Sequence, residues 1–420
     1  MTALEWSPEL PADWKVEQAR RVLRRVKRPV RTDDQTVTAF RDGEVTLRSN
    51  RRTEGFTEAF AEFGYHGVRE GDLAIHAMDG FAGAIGVSDS DGKVSPVVHL
   101  YDAGLGDARF FAYALREAAR AGFVTSLAKG IRERSTSFDP QTLAAMDLPV
   151  PQPIMQRRIA DYLDRETATI DALIEKQRQL VDGLRERSEA LVRSGIFGKE
   201  QGAARADRWI PNLPAGWSIE PLRRHTALVN GSTPNRTNPD YWQGGQHAWL
   251  NSSHANSDVV VTADQWVTDA AVEECHLPRL CPGTVLVAIT GQGKTRGKAT
   301  LLTIRATINQ HLAGILPEAR QWDARFLTLM LRAAYDELRL VSDAGGSTRG
   351  ALTLSSLGNV LVARPSLAEQ REIADHLDRE TAKIDTLIAK AERFIELAQE
   401  RRAALITAAV TGQIEIPTED

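Results

Sequence analysis

The longest regular pattern in the chain is an apolar stripe at three-to-four-residue spacing, and it is written twice. In residues 153–198, Leu163, Ile170, Gln177, Leu184 and Leu191 recur seven apart, with Thr167, Ile174, Val181 and Ser188 interleaved. In residues 366–412 the same spacing runs through Leu377, Ile384, Ala391, Ala398 and Leu405, with Thr381, Ile388 and Ile395 between them. Sustained alternation of this kind predicts two long helices whose apolar seams face a partner helix. The seams are Leu163, Ile170, Ile174, Val181, Leu184 and Leu191 in one copy and Leu377, Ile384, Ile388, Ile395 and Leu405 in the other. Local signals set the ends. Ser366 and Glu369 make a capping box, Pro153 suits a first helical position, and Gly198 and Gly412 are stops at matching places. Forty helical residues span roughly 60 Å.

Elsewhere the pattern is shorter. Residues 71–78 (GDLAIHAM) and 283–290 (GTVLVAIT) read as strands, whereas RFFAYALREAARAG and ARFLTLMLRAAYDELRL have helical spacing. The fold class expected is therefore α+β, with two mixed domains separated and followed by the long helices. The boundaries are 1–152, 153–198, 199–365, 366–412 and a tail, 413–420.

The two helices are copies. Residues 156–176 and 370–390 agree at 16 of 21 positions with a constant offset of 214. A second match, PELPADW from residue 8 and PNLPAGW from residue 211, opens each half, and DARFF at 107 pairs with DARFL at 323. Ordinary amphipathic helices packed privately on their own domains should resemble those domains, yet here the domains differ and the helices agree. Helices that pair with each other, or present one face to a duplicated partner, explain the agreement better.

Composition excludes several classes. No run of eighteen apolar residues exists, so a membrane span is not expected. The N-terminus has no apolar signal core, and two cysteines cannot build a disulfide framework; a cytoplasmic protein is expected. The net charge of −4 is unevenly spread. Residues 15–52 hold 12 basic and 5 acidic side chains, residues 203–365 hold 16 and 13, and residues 366–420 hold 7 and 12. Local basic faces can meet phosphates while acidic helices lie elsewhere.

Candidate chemistry lies in loops. VNGSTPNRTNPDYW (residues 229–242) offers Thr233, Asn235 and Arg236; TGQGKTRGKAT (residues 290–300) offers Gln292, Lys294, Arg296 and Lys298. Asn309 and Gln310 sit in a short NQH stretch, and Arg349 in GGSTRGALT. In the first half the cations are Arg48, Arg51, Arg52, Arg132 and Arg134. Arginine and lysine suit guanine edges and phosphates, asparagine and glutamine suit adenine, so all fifteen are candidate DNA contacts. Catalytic motifs fail. GQGKT lacks the first glycine of a P-loop, because Ala288 stands there. Asp89 opens no complete calcium loop, and Cys275, His276 and Cys281 lack a second ligand pair for zinc. NPDY at residue 238 differs by Asp240 from the Asn-Pro-Pro-Tyr loop of amino-methylating DNA enzymes, and no methyl-donor loop accompanies it; a turn before a buried Tyr-Trp pair is expected. No catalytic residue and no metal site are assigned.

The doubled QRxIAxxLDRETAxIDxLI, the LPxxW openings, and GSTP, WLNS, TGQGK and NQH in the second half together resemble the specificity subunit of type I restriction–modification enzymes. The resemblance covers essentially the whole chain. It implies a non-catalytic DNA reader of a host-defence system. Two target recognition domains would be joined by an antiparallel coiled coil with pseudo-two-fold repeat, each binding half of a split, asymmetric site in double-stranded DNA. It also implies two methyltransferase subunits on the two helix copies and motor–nuclease restriction subunits beyond them. S-adenosylmethionine, ATP and Mg would sit on those partners and no cofactor on this chain. Two other readings stay open: a self-contained DNA methyltransferase with the coil as dimeriser, and a coiled-coil assembly protein without a nucleic-acid role.

Overall fold

A computed structural model describes residues 4–7, 9–51, 63–127, 138–197, 209–210, 213–291, 293–343 and 350–417. The chain divides into two compact units. One is residues 1–178 with 392–420, and the other is residues 179–391. The long helices, Pro153–Phe197 and Leu367–Val410, each contribute to both units.

The first unit is built around a four-stranded antiparallel sheet, in the order Arg24–Val26, Val98–Asp102, Leu73–His76, Ile85–Val87. Helix Ala108–Arg120 packs on it and puts Phe110, Phe111, Ala114, Leu115 and Ala118 into the core. That core also takes Ile159, Ala160 and Leu163 from the start of the first long helix and Ile406, Ala409 and Val410 from the end of the second. Asp171 and Arg402, one from each helix, are ion-paired at 2.9 Å.

The second unit carries a five-stranded sheet in the order Thr226–Asn230, Leu312–Pro317, Val285–Ala288, Ala299–Leu302, Val259–Val260. A three-stranded sheet, Gln265–Val267, His247–Leu250, Ala306–Ile308, lies in the same unit. One strand pair in each sheet is parallel. The helical stretch expected over ARFLTLMLRAAYDELRL breaks at Ala334 into Ala324–Ala333 and Tyr335–Asp343. The core here takes Val192, Ile196 and Phe197 from the end of the first long helix and Ala374 and Leu377 from the start of the second. Gly195 faces Leu377 so closely that a Cβ there would strike the leucine side chain.

Burial follows the heptad along most of each helix. Leu163, Thr167, Ile170, Ile174, Val181 and Leu184 are buried in one, Leu377, Ile384 and Ala391 in the other, with Ile388 and Ile395 half-buried. At the far ends the stripe drifts. Val192 and Ile406 are buried, whereas Leu191 and Leu405 are only half-buried. An α-helix turns every 3.6 residues, so a strict seven-residue pattern slips around the cylinder once packing on a domain replaces packing on a partner helix. Gly412 follows the second helix with φ +69°, a stop that favours glycine; Gly198 lies outside the described residues.

Both units fasten their helix in the same way. In the first, strand Lys15–Gln18 pairs antiparallel with Asp147–Val150, which runs straight into the long helix. Asp107 caps helix Ala108–Arg120 by accepting from the Arg109 and Phe110 amides. Gln156, buried in the first turn of the long helix, accepts from the Asp107 N–H at 2.9 Å through Oε1 and donates to the Pro151 carbonyl at 2.8 Å through Nε2. Arg109 reaches Asp161 and Asp164, both at 2.8 Å. Burial would lower the pKa of Arg109, but the hydrogen bonds it donates to Asp107 and Asp161 outweigh that and hold the guanidinium in its charged form.

In the second unit Ser218–Pro221 pairs with Leu361–Arg364, and Asp323 caps Ala324–Ala333. Gln370 accepts from the Asp323 N–H at 2.8 Å and donates to Pro365 at 3.0 Å and to Gln321 at 2.8 Å. Arg325 reaches Asp375 at 2.7 Å and Asp378 at 3.0 Å. Trp14 meets Phe110 edge-on in one unit, and Trp217 meets Phe326 in the other. The LPxxW, DARF and QRxIA stretches are thus parts of a single fastening, found twice.

Substituting leucine for Gln370 leaves one amide N–H and two carbonyls without their partner, because no water replaces a fully buried side chain. The expected loss is about 1–3 kcal/mol, read as a lower urea midpoint, with Gln156→Leu behaving alike in the first unit. An unchanged midpoint in both variants would mean that the glutamines fasten nothing.

Candidate nucleic-acid interface

In the first unit the basic stretch is largely neutralised. Arg24 pairs with Asp102, Arg28 with Asp72, Arg31 with Asp91 and Arg41 with Asp79, each carboxylate coming from 38 to 78 residues away. Arg51 pairs with Asp42 at 2.6 Å and Glu44 at 2.9 Å and lies 4.3 Å from the centre of the Phe40 ring. The hydrogen bond to Asp42 raises its pKa. Arg48 is half-buried, with Nε 3.4 Å from the Thr38 hydroxyl. The net charge of +7 read from residues 15–52 is therefore not a bare cationic face. Lys15, Arg20 and Lys27 are exposed and have no carboxylate partner among the described residues. Arg52, Arg132 and Arg134 lie outside those residues.

The second unit brings candidate loops together. Thr233 Oγ1 donates to Gln310 Oε1 at 2.7 Å. Gln310 Nε2 lies 3.4 Å from His311 Nε2, and His311 Nδ1 is 2.6 Å from Thr290 Oγ1. Thr290 in turn forms a bridge with Ala351. A chain of polar side chains thus joins the loop after strand Thr226–Asn230 to the turn before Leu312–Pro317 and to the loop after Val285–Ala288. Gly231 makes the first approach possible: any Cβ there would collide with the Ile308 carbonyl.

The loop over residues 232–237 is held rigidly. Trp249 Nε1 donates to the Ser232 carbonyl at 3.1 Å and Trp242 Nε1 to the Asn235 carbonyl at 3.0 Å. Asn235 Oδ1 accepts from both the amide and the hydroxyl of Thr237. Arg236 is exposed, donates to Gln265 Oε1 at 2.8 Å, and stands 4.1 Å and 4.8 Å from the centres of the Trp242 and Trp249 rings. NPDY forms a 3₁₀ turn, Pro239–Tyr241, in which Asn238 caps Asp240. Tyr241 and Trp242 are half-buried rather than buried. The Tyr241 hydroxyl donates to Glu274 at 2.7 Å, which raises its pKa.

Two candidates are placed in the interior. Arg296 is 5% exposed and donates to Asp343 at 2.6 Å; Asn309 is 4% exposed and accepts from the His311 N–H, shaping its own turn. As placed, Arg296 is a desolvated, ion-paired guanidinium and Asn309 is committed to its own turn. Lys294 is exposed and Lys298 half-buried on the same loop, where the Tyr335 hydroxyl donates to the Lys294 carbonyl. Gln292 and Arg349 lie outside the described residues. The aromatic corner around Arg236, the Gln265 contact and the His311–Thr290 link had no signature in the sequence beyond the unassigned tryptophans and the NQH triplet. Among the described residues no group of His, Cys, Asp and Glu is placed to hold a metal, and no helix is long and apolar enough to cross a membrane.

The family comparison bears on this second unit. Residues 226–396 match the model of the type I restriction modification DNA specificity domain. Relatives agree. The chain is 27% identical over 168 residues to the type I restriction enzyme MjaIX specificity subunit of Methanocaldococcus jannaschii, covering 39% of this chain and 38% of that protein. It is 23% identical over 207 residues to the StySPI specificity subunit of Salmonella potsdam, covering 48% and 44%. These matches span about two fifths of the relatives' length. In fold, the chain is similar to one solved in work on complex assembly and conformational transition of the type I R-M system. The TM-score is 0.70 at 18% identity, over 97% of this chain and 100% of that one. The HsdS subunit from Thermoanaerobacter tengcongensis gives 0.50 at 19% identity over 96% and 98%. The matched stretch begins at strand Thr226–Asn230 and includes all the loops that the polar chain joins.

The two classes of cation predict opposite phenotypes. Arg296→Ala removes a packed side chain and is expected to lower stability by about 1–3 kcal/mol, whereas Lys294→Ala leaves the thermal midpoint unchanged and weakens duplex binding with a shallower salt dependence. Equal midpoints for the two variants, or equal duplex affinities, would reverse the assignment.

Proposed function

We propose that this chain is the DNA sequence-specificity subunit of a type I restriction–modification complex, itself without catalytic residues. The observation that carries the reading is the doubled fastening: two unlike heads, one of them matching a DNA specificity domain, are gripped by equivalent glutamine and aspartate contacts to copies of one helix. An enzyme working alone has no use for that repetition. A device that must hold two different readers on one scaffold does.

In this proposal residues 1–152 and 199–365 are target recognition domains, and each reads half of a split site in double-stranded DNA. The long helices form an antiparallel coiled coil that acts as a ruler. Contacts Asp171–Arg402 and Gly195–Leu377 support it, since residue numbers rise along one helix as they fall along the other. Two weak half-site contacts gain affinity together only if the spacing they impose matches the duplex, about 3.4 Å per base pair. Each helix copy also exposes a leucine at the equivalent position, Leu173 and Leu387. Duplicated methyltransferase subunits would find the same face twice there, and restriction subunits would join them. S-adenosylmethionine, ATP and Mg would belong to those partners, and the assembly would work in the cytoplasm.

Mapping genomic methylation in cells that hold the methylating subunits, with and without this chain, tests the reading. A bipartite motif that appears only with the chain is expected. Inserting four residues beside Gly183, which has open space around it, should change the gap and leave both half-sites unaltered. A chain-independent methylation pattern would end the proposal; a motif with an unmoved gap would remove the ruler.

A further inference from the structure

Arg236, like Arg223 and Arg339, is held by a neutral acceptor, but it also lies against two indole rings. Arg325, Arg332 and Arg364 are each clamped by carboxylates, from Asp375 and Asp378, Asp258 and Glu220 respectively. Arg236 has no carboxylate partner among the described residues; its one hydrogen bond goes to the neutral Gln265 amide. Its charge is left intact while its position is fixed. The fixing is aromatic. Trp242 and Trp249 meet edge to face, with centroids 5.4 Å apart and planes at 81°, and the guanidinium lies in the corner they form. Trp249 is almost wholly buried, and both indole N–H groups are tied to carbonyls of the loop that carries Arg236. The corner and the arginine therefore belong to one rigid unit.

A mobile lysine can hold a phosphate as a point charge, whereas a guanidinium can also grip one with two prongs. Holding a guanidinium plane in place, with one nitrogen occupied and the charge unspent, suits a two-pronged acceptor. On duplex DNA such acceptors are a phosphate's oxygens and the O6/N7 edge of guanine in the major groove, and only the guanine edge carries sequence. We infer that Arg236 is a specificity-determining residue, reading a guanine in the half-site of the second unit, with Trp242, Trp249 and Gln265 as its positioning residues. The inference rests on the proposed function and deepens it. Pre-ordering lowers the rotamer cost of the contact, so loss of the plane should cost more than loss of a charge elsewhere on the surface.

The test compares full-length wild type, Arg236→Lys and Gln265→Ala, each with the methylating subunits, by methylation mapping and by competition binding to duplexes altered one base pair at a time. Wild type is expected to require a G·C pair at one position of one half-site. Arg236→Lys keeps the aliphatic stem against the indoles and the positive charge; it should lose discrimination at that position roughly ten- to a hundredfold, with the other half-site and the gap unchanged. Gln265→Ala should relax the same position and no other. The intact half-site reports folding for both variants. The inference is overturned if Arg236→Lys retains the motif unchanged, even with a lowered thermal midpoint, since the arginine is then only a cover for Trp249. A uniform weakening over all base substitutions also overturns it, since the contact is then to phosphate. If wild type directs no bipartite motif, the proposed function fails and takes this inference with it. A bipartite motif that ignores Arg236 removes the guanine contact alone.

Discussion

The arrangement depends on a buried amide that is fully satisfied. A glutamine side chain enclosed in protein and left unpaired would cost several kcal/mol, so it is stable only where donors and acceptors converge on it. In each unit three chain segments bring them: the end of the strand that enters the long helix, the first turn of that helix, and the cap of the domain helix. Gln156 and Gln370 thus fix where each domain ends and its long helix begins. The arginine behind each glutamine, joined to two aspartates one turn apart, fixes the angle around the rod.

That fastening is indifferent to what lies in front of it. The first head uses an antiparallel four-stranded sheet, while the second uses five- and three-stranded sheets that each contain a parallel pair. The contacts run to backbone groups and to the two ends of each domain's chain, and they leave the sheets and their loops free to differ. Identity in the helices beside dissimilarity in the heads has a mechanical cause here.

The long helices and the LPxxW, DARF and QRxIA words at their bases were legible because their signals are local: spacing, caps, and short repeated words. Charge was less legible. Arg24 and Arg28 meet aspartates 78 and 44 residues away, so a count over a short window overstates what the surface presents. Burial misled in the same manner. Arg296 stands among glycines and lysines in a loop that looks solvated, yet it turns inward to Asp343, and only tertiary packing decides that. Arg236 was noticed as a cation, but Trp249 and Gln265 reach it from strands that no periodicity ties to its loop.

The second head is an uninterrupted stretch, residues 179–391, whereas the first needs Ile406, Ala409 and Val410 from the far end of the other helix to complete its core. On a ribosome the later-made head can therefore close first. The earlier one lacks three of its buried side chains until the last helix emerges, so during synthesis that core waits for its sealing strip.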